Sequence, residues 1–179
     1  MSWSKLISVT TVVLLVCGML MIDCAVAGEK MRWHGTGFST EWKQIEVGDE
    51  EGHILAVSSA KQLYVDENTG ERAVGNSVNT IDINMKTGQG TVSGYGWTAD
   101  KDGDKTMRTH EGKPVGKGHW KGTWTYIKGT GKYEGIKGGG TWDSYSMGQG
   151  EPEYIEVEGE LISLPWLEIE KANLVYEFE

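Results

Sequence analysis

Apolar and polar residues alternate with a period of two along most of the chain, in stretches bounded by glycine and acidic turns. This alternation is typical of β-strands that bury one face. The pattern predicts strands over residues 30–38, 41–47, 53–65, 77–85, 90–99, 105–110, 117–128, 139–147 and 153–163. The first two segments form one long strand if the chain bends at Ser39 and Thr40. No convincing amphipathic helix precedes Pro165.

Short connections with explicit turn chemistry separate these strands. The segment from Lys86 to Gln89 predicts a tight hairpin in which Gly88 adopts positive φ. Eight or so strands joined in this way predict an all-β domain over residues 28–164, an eight-stranded antiparallel up-and-down barrel. A β-sandwich is the alternative. Closure of the barrel would remove the exposed strand edges that promote aggregation.

Both ends of the chain lie outside the strand pattern. Residues 1–27 predict a signal peptide, because Lys5 precedes an apolar run and Ala25 and Ala27 provide the small residues of a cleavage site. Cleavage after Ala27 predicts a secreted or periplasmic protein with no membrane span in its mature form. An uncleaved membrane anchor is the alternative. Residues 165–179 form a C-terminal tail that fits a short helix or a strand.

Composition narrows the classes of protein and site. The chain has 26 acidic and 17 basic residues, and this balance argues against nucleic acid as a partner, since nucleic-acid binders need clustered lysine and arginine. Both cysteines, Cys17 and Cys24, lie in the predicted signal peptide. The mature chain is therefore expected to have no disulfide, thiolate metal site or cysteine nucleophile.

Aromatic residues alternate with glycine and small residues in the glycine-rich segment. Trp120, Gly122, Trp124 and Tyr126 share one face of a strand, as wide and small residues do on the inside of a tapered barrel. A small apolar ligand in an aromatic-lined cavity is the predicted partner, and the predicted ligand-binding residues are Tyr95, Trp97, Trp120, Trp124, Tyr126 and Trp142. The alternative is that the same rings simply fill a narrow barrel.

The segment GTWTYIKGTGKYEGIKGGGTW, Gly122 to Trp142, resembles the strand–corner–strand pattern of the allene oxide cyclase-like barrel superfamily, especially its small exported bacterial members. The resemblance extends upstream to the hairpin from Gly94 to Lys105 and covers residues 30–163. It implies an eight-stranded barrel with a cavity for a small apolar molecule. Plant enzymes of that superfamily cyclise an unsaturated fatty-acid epoxide, but their catalytic residues have no matched positions here, so no catalytic residue is predicted.

Asp100, Asp102 and Asp104, followed by Glu111, have the spacing of oxygen ligands in a calcium-binding loop. Lys105 stands where such a loop needs glycine, and the flanking segments are strands. The segment therefore has two interpretations, a calcium site formed by the three aspartates or an ordinary Asp-Gly hairpin turn. No other cofactor is predicted.

Three functions are compatible with the sequence. The first is binding of a small apolar molecule, the second is isomerisation or cyclisation of such a molecule, and the third is an interaction protein with a solid barrel. An ionisable side chain inside the cavity would favour the enzyme. Glu46 and Glu158 are the carboxylates considered for that role, and the four histidines have no spacing that indicates a metal site.

Overall fold

In a computed structural model, which describes residues 28–146 and 151–163, the chain forms a closed antiparallel barrel in which each strand pairs with the next and the last pairs with the first. The eight strands are β1 (Glu29–Glu46), β2 (His53–Asp66), β3 (Arg72–Asn84), β4 (Gln89–Ala99), β5 (Lys105–Gly116), β6 (His119–Gly129), β7 (Lys137–Ser146) and β8 (Glu153–Ser163). The predicted fold class is thereby confirmed. None of the helical segments in the described ranges has the length and apolar character that a membrane span requires.

The first strand is continuous, and its pairing with β2 shifts register between Ser39 and Glu41. The sequence predicted a bend at this place. Ser39 and Thr40 use their hydroxyl groups there to bond the carbonyl of Ser59, at 3.3 and 3.2 Å. The irregularity lets one strand of 18 residues follow the curvature of the barrel.

The connections are mostly the predicted hairpins. Gly88 has φ of 69° in the turn between β3 and β4, and Gly103 has φ of 88° in the turn between β4 and β5. Only glycine adopts this conformation without steric cost. Between β6 and β7 the connection is longer and includes a short 3₁₀ turn at Gly131–Tyr133.

Closure depends on the pairing of β1 with β8, in which Glu29 lies opposite Leu161 and Gly37 lies opposite Glu153. The predicted signal peptide and C-terminal tail lie outside the described residues. The first described residue, Gly28, donates its backbone N–H to Oε1 of Glu160 at 2.7 Å. The first strand begins at Glu29, the residue after Gly28.

The core is divided between two parts of the inner wall. Small and aliphatic residues line β2, β3 and β4, and those buried there include Ile54, Ala56, Ala60, Ile83 and Val92. The inner faces of β5, β6 and β7 carry larger side chains instead, among them Arg108, His110, Trp124 and Trp142. The small residues on one side leave space for the long side chains from the other, which is where the candidate site lies.

Candidate functional site

The pairing of β4 with β5 brings two long polar side chains into the barrel. Arg108 lies opposite Gly96, and His110 lies opposite Gly94. A Cβ atom at position 94 would lie 2.8 Å from Nε2 of His110, and one at position 96 would lie 3.2 Å from Cζ of Arg108. The two glycines are therefore the reason that both side chains fit inside the wall.

Two indoles are held against the wall in the same way. Trp124 is only 3 % exposed and lies over Gly159, while Trp142 lies over Gly112 and Gly122. Each indole Nε1–H points at two backbone carbonyls at 3.2 Å, those of Thr141 and Glu158 for Trp124 and those of Glu111 and Thr123 for Trp142. These bonds fix the rings as part of the lining.

Arg108 reaches across the interior to Tyr64 on β2. Its Nη2 donates to the Tyr64 hydroxyl at 3.0 Å, and its guanidinium carbon lies 5.4 Å from the centre of that ring. Burial raises the pKa of Tyr64, and the positive charge of Arg108 lowers it in part. Tyr126, on the strand beside β5, shows the same two effects on its pKa. Both phenols thus stay protonated at neutral pH and can donate a hydrogen bond.

His110 belongs to a chain of hydrogen bonds across the inner wall. Its Nε2 donates to Oδ1 of Asn79 at 2.7 Å, and Nδ2 of Asn79 donates to the Ser58 hydroxyl at 3.1 Å. Burial, together with the nearby charge of Arg108, lowers the pKa of His110 to about 4. The ring is therefore neutral at physiological pH, with its Nδ1 lone pair available as an acceptor.

One carboxyl group also faces inward. Glu153, at the start of β8, accepts a hydrogen bond from the hydroxyl of Ser144, which is 2 % exposed. Burial raises the pKa of Glu153, and the bond from Ser144 opposes that shift only in part. Gly37 lies directly opposite Glu153 on β1, so no side chain covers the carboxyl from that strand.

Two buried polar atoms of the inner wall lack a partner among the described residues. They are Nε1 of Trp33 on β1 and Oε1 of Gln62 on β2. The amide nitrogen of Gln62 does donate to the Ser77 hydroxyl at 3.3 Å. A buried donor or acceptor without a partner costs about 1–3 kcal/mol, so both atoms are places where another molecule could bind favourably.

The structure separates the six predicted ligand-binding residues into two groups. The inward group lies on β6 and β7, on the face that the alternation predicted, and consists of Trp120, Trp124, Tyr126 and Trp142. Trp120 lies between Pro114 and Ser144, close to the hairpin that joins β5 and β6. Whether these residues bind a ligand stays a prediction.

The expectation that Tyr95 and Trp97 line the interior is wrong, because Gly94 and Gly96 occupy the inward positions of β4. Tyr95 is 67 % exposed on the outer surface. It lines an outer groove of about 460 Å³ along β3 to β6, beside Val78 and Thr109. Trp97 lies on the same outer face, with Nζ of Lys105 at 5.0 Å from the ring centre.

The acidic turn brings its aspartates together, but basic groups already contact them. Asp100 accepts the backbone N–H groups of Asp102 and Asp104 at 2.9 and 3.1 Å, and its carboxylate lies 2.6 Å from Nζ of Lys132. Asp102 pairs with Lys101 at 3.0 Å. Within the described ranges no group of three or more acidic, histidine or cysteine side chains has metal-binding geometry. Calcium stays a prediction, and it would have to displace Lys132.

The other considered carboxylates are exposed. Glu46 is the last residue of β1 and lies opposite the buried Ile54, whereas Glu158 lies on the outer face, where it forms an ion pair with Arg32 at 2.8 Å. The carboxyl group that faces inward on β8 is Glu153, five residues before Glu158 and therefore on the opposite face of the strand. Three histidines also lie outside the cavity, where His34, His53 and His119 contact acidic side chains.

Sequence reasoning missed Arg108, Tyr64 and Glu153 because charged and phenolic residues in an alternating strand usually face water. The glycines of β4 indicate which side chains of β5 face inward. If the turn at residues 100–104 sets the register of β4 and β5, Gly94 and Gly96 lie opposite His110 and Arg108.

Comparison of the chain with models of known protein families gives no matching family, and a search of curated proteins finds no match either.

Proposed function

We propose that this protein is an exported β-barrel that binds one small, largely apolar molecule in its interior. The observation that carries the proposal is the partial exposure of inward side chains at mid-barrel, among them Arg108, His110, Tyr126 and Trp142. In a closed barrel such side chains can be exposed only towards the interior or its mouths. Eight strands enclose either a filled core or room for one small ligand, and partial exposure favours the second.

The chemistry of the lining supports the same proposal. Trp142 and Tyr126 offer apolar ring surface, while His110, Tyr64 and Gln62 offer a few polar atoms that can orient a ligand. A largely apolar pocket with a few convergent polar groups is the usual form of a small-molecule site. The third hypothesis, an interaction protein with a solid barrel, does not account for the two unpartnered polar atoms on the inner wall.

The neutral dye N-phenyl-1-naphthylamine, whose fluorescence increases in apolar surroundings, tests this proposal. We expect saturable fluorescence enhancement with the wild-type protein and a dissociation constant at least about fivefold weaker for Trp142→Leu, a loss of about 1 kcal/mol. Trp97→Leu removes an indole from the outer face and is expected to leave the affinity within about twofold. Absence of saturable binding, or equal effects of the two substitutions, would contradict interior binding.

Isomerisation or cyclisation of the bound molecule is the second candidate, and Glu153 is the observation that favours it. Burial raises the pKa of this inward carboxyl group, and His110, a second inward side chain, is a neutral imidazole at physiological pH. A carboxyl group with a raised pKa in apolar surroundings is a stronger base, once ionised, than one in water.

Elimination of 5-nitrobenzisoxazole, in which a base removes the C3 proton as the N–O bond breaks, measures such a base in an apolar site. We expect the rate to rise with pH as Glu153 ionises, and to fall by at least about tenfold in Glu153→Gln. Glu158→Gln, on the outer face of the same strand, is the matched control and should retain the wild-type rate. A wild-type rate equal to that of buffer would remove the support for catalysis.

A further inference from the structure

We propose that the molecule bound in the barrel is a compact apolar monocarboxylate, whose carboxylate docks on the guanidinium of Arg108. This inference rests on the proposed function and specifies its ligand class. Arg108 projects from β5 into the interior, where it donates a hydrogen bond to the Tyr64 hydroxyl at 3.0 Å and lies against the face of the same ring.

In the part of the chain that the structure describes, no acidic side chain forms an ion pair with Arg108. Ion pairs within 4.0 Å involve Arg32 and several lysines and histidines, but not Arg108. An arginine stays protonated at all relevant pH values, and an unpaired charge that is partly removed from water is costly. An anionic group inside the barrel would remove this cost.

The donors of Arg108 fit a carboxylate. A guanidinium has five N–H groups in a planar fork, and Tyr64 accepts from one of them. The fork matches the two oxygens of a carboxylate, which it binds through two parallel hydrogen bonds. The guanidinium lies over Gly96 on β4, where the absence of a side chain makes room for it.

The surroundings of Arg108 favour a single negative charge over a phosphate dianion. His110, the nearest ionisable residue along β5, is neutral at physiological pH and adds no second cation. Tyr64 and Tyr126 supply neutral hydroxyl groups. Glu153, the inward carboxyl group at the start of β8, repels a dianion more strongly than a monoanion when it is ionised. One cation, neutral donors and aromatic walls together match an apolar body that carries one carboxylate.

The paired probes 2-naphthoate and 2-naphthamide test this inference, because they have nearly the same shape and differ in charge. Affinities are measured by displacement of N-phenyl-1-naphthylamine and by calorimetry at neutral pH. We expect 2-naphthoate to bind the wild-type protein at least about tenfold more tightly than 2-naphthamide. Arg108→Met is expected to abolish that preference, and Arg108→Lys, which keeps the charge but loses the fork, to reduce it.

Arg72→Met, which removes an exposed arginine at the start of β3, is the matched control and should keep the full preference. Equal affinity of the two probes for the wild-type protein would overturn the inference, even if Arg108→Met does not fold. A preference that survives in folded Arg108→Met would overturn it as well. Loss of binding by the neutral dye and by both probes would contradict the proposed function itself, so the two failures are distinguishable.

Discussion

Replacing Gly159 with alanine is expected to lower the free energy of unfolding by about 2–3 kcal/mol, the upper part of the range for an overpacked core. The new Cβ atom would overlap the six-membered ring of Trp124 and would lie 2.7 Å from the carbonyl oxygen of Gly139. Neither neighbour can move easily, because the indole is 3 % exposed and the carbonyl belongs to the β7 backbone. Urea unfolding followed by circular dichroism measures the effect.

Gly116→Ala is the matched control for this prediction. Position 116 lies at the end of β5, and a Cβ atom there meets only Cβ of His119, at an ordinary 3.7 Å. Its free energy of unfolding should stay within about 0.5 kcal/mol of wild type. Adding Trp124→Phe to Gly159→Ala should offset part of the loss, because the smaller ring leaves room for the methyl group, with a coupling of about 1 kcal/mol. Equal stability of the two alanine variants would show that the indole does not rest on Gly159.

Acidification from pH 6.5 to pH 4 is expected to remove roughly 3 kcal/mol of stability through His110 alone. Burial and Arg108 lower the pKa of this imidazole to about 4 in the folded protein, whereas the unfolded chain keeps the ordinary value of 6.5. Between these values the unfolded state binds the proton and the folded state does not. Stability is therefore present above pH 6.5 and lost as the pH falls towards 4.

His110→Gln should flatten the stability curve in this window, since the amide cannot titrate and its nitrogen can still donate to Asn79. His34→Gln, on the outer face of β1, is expected to follow the wild-type curve. Chemical denaturation at half-unit pH intervals gives the comparison. A variant curve as steep as wild type between pH 4 and 6.5 would contradict a buried neutral His110.

Other titrating groups act mainly outside that window or with the opposite sign. Hydrogen bonds to Asp82 and Asp49 raise the pKa of His53, so its contribution is present below pH 6.5 and lost as the pH rises further. Asp49, Asp100 and Asp143 have lowered pKa values, and their contributions are lost only as the pH falls below their ordinary 3.8. Burial raises the pKa of Glu153, which makes the folded state less stable as the pH rises above 4.5.

The alternation of apolar and polar residues was sufficient to predict the barrel and most of its strands. It failed where the pattern is interrupted by glycine or proline. The third strand begins at Arg72 rather than at residue 77, because Gly75 weakens the alternation, and the fifth extends to Gly116 across Gly112 and Pro114. These positions are strand in the folded chain because the neighbouring strands supply hydrogen bonds that no local pattern reveals.

The inner lining was only half predictable, because alternation identifies two faces but not which one is inside. On β6 the large rings mark the inner face, and that choice was correct. On β4 the same reasoning selected Tyr95 and Trp97, although the inward residues are the glycines between them. These glycines make room for Arg108 and His110 of the next strand, and this pairing can be recognised only when the register of the two strands is known.

The pairing of β1 with β8 has a consequence for how the chain reaches its final form. The backbone N–H of Gly28 and the carboxylate of Glu160 are 132 positions apart in sequence, so this seam is among the last contacts that a chain made from its N-terminus can form. Until the eighth strand has been synthesised, one edge of β1 has no hydrogen-bonding partner, and such edges recruit other chains. A nascent or truncated form that lacks β8 should therefore self-associate. Completion of the last strand is then the step that converts an open sheet with an unpaired edge into a closed barrel.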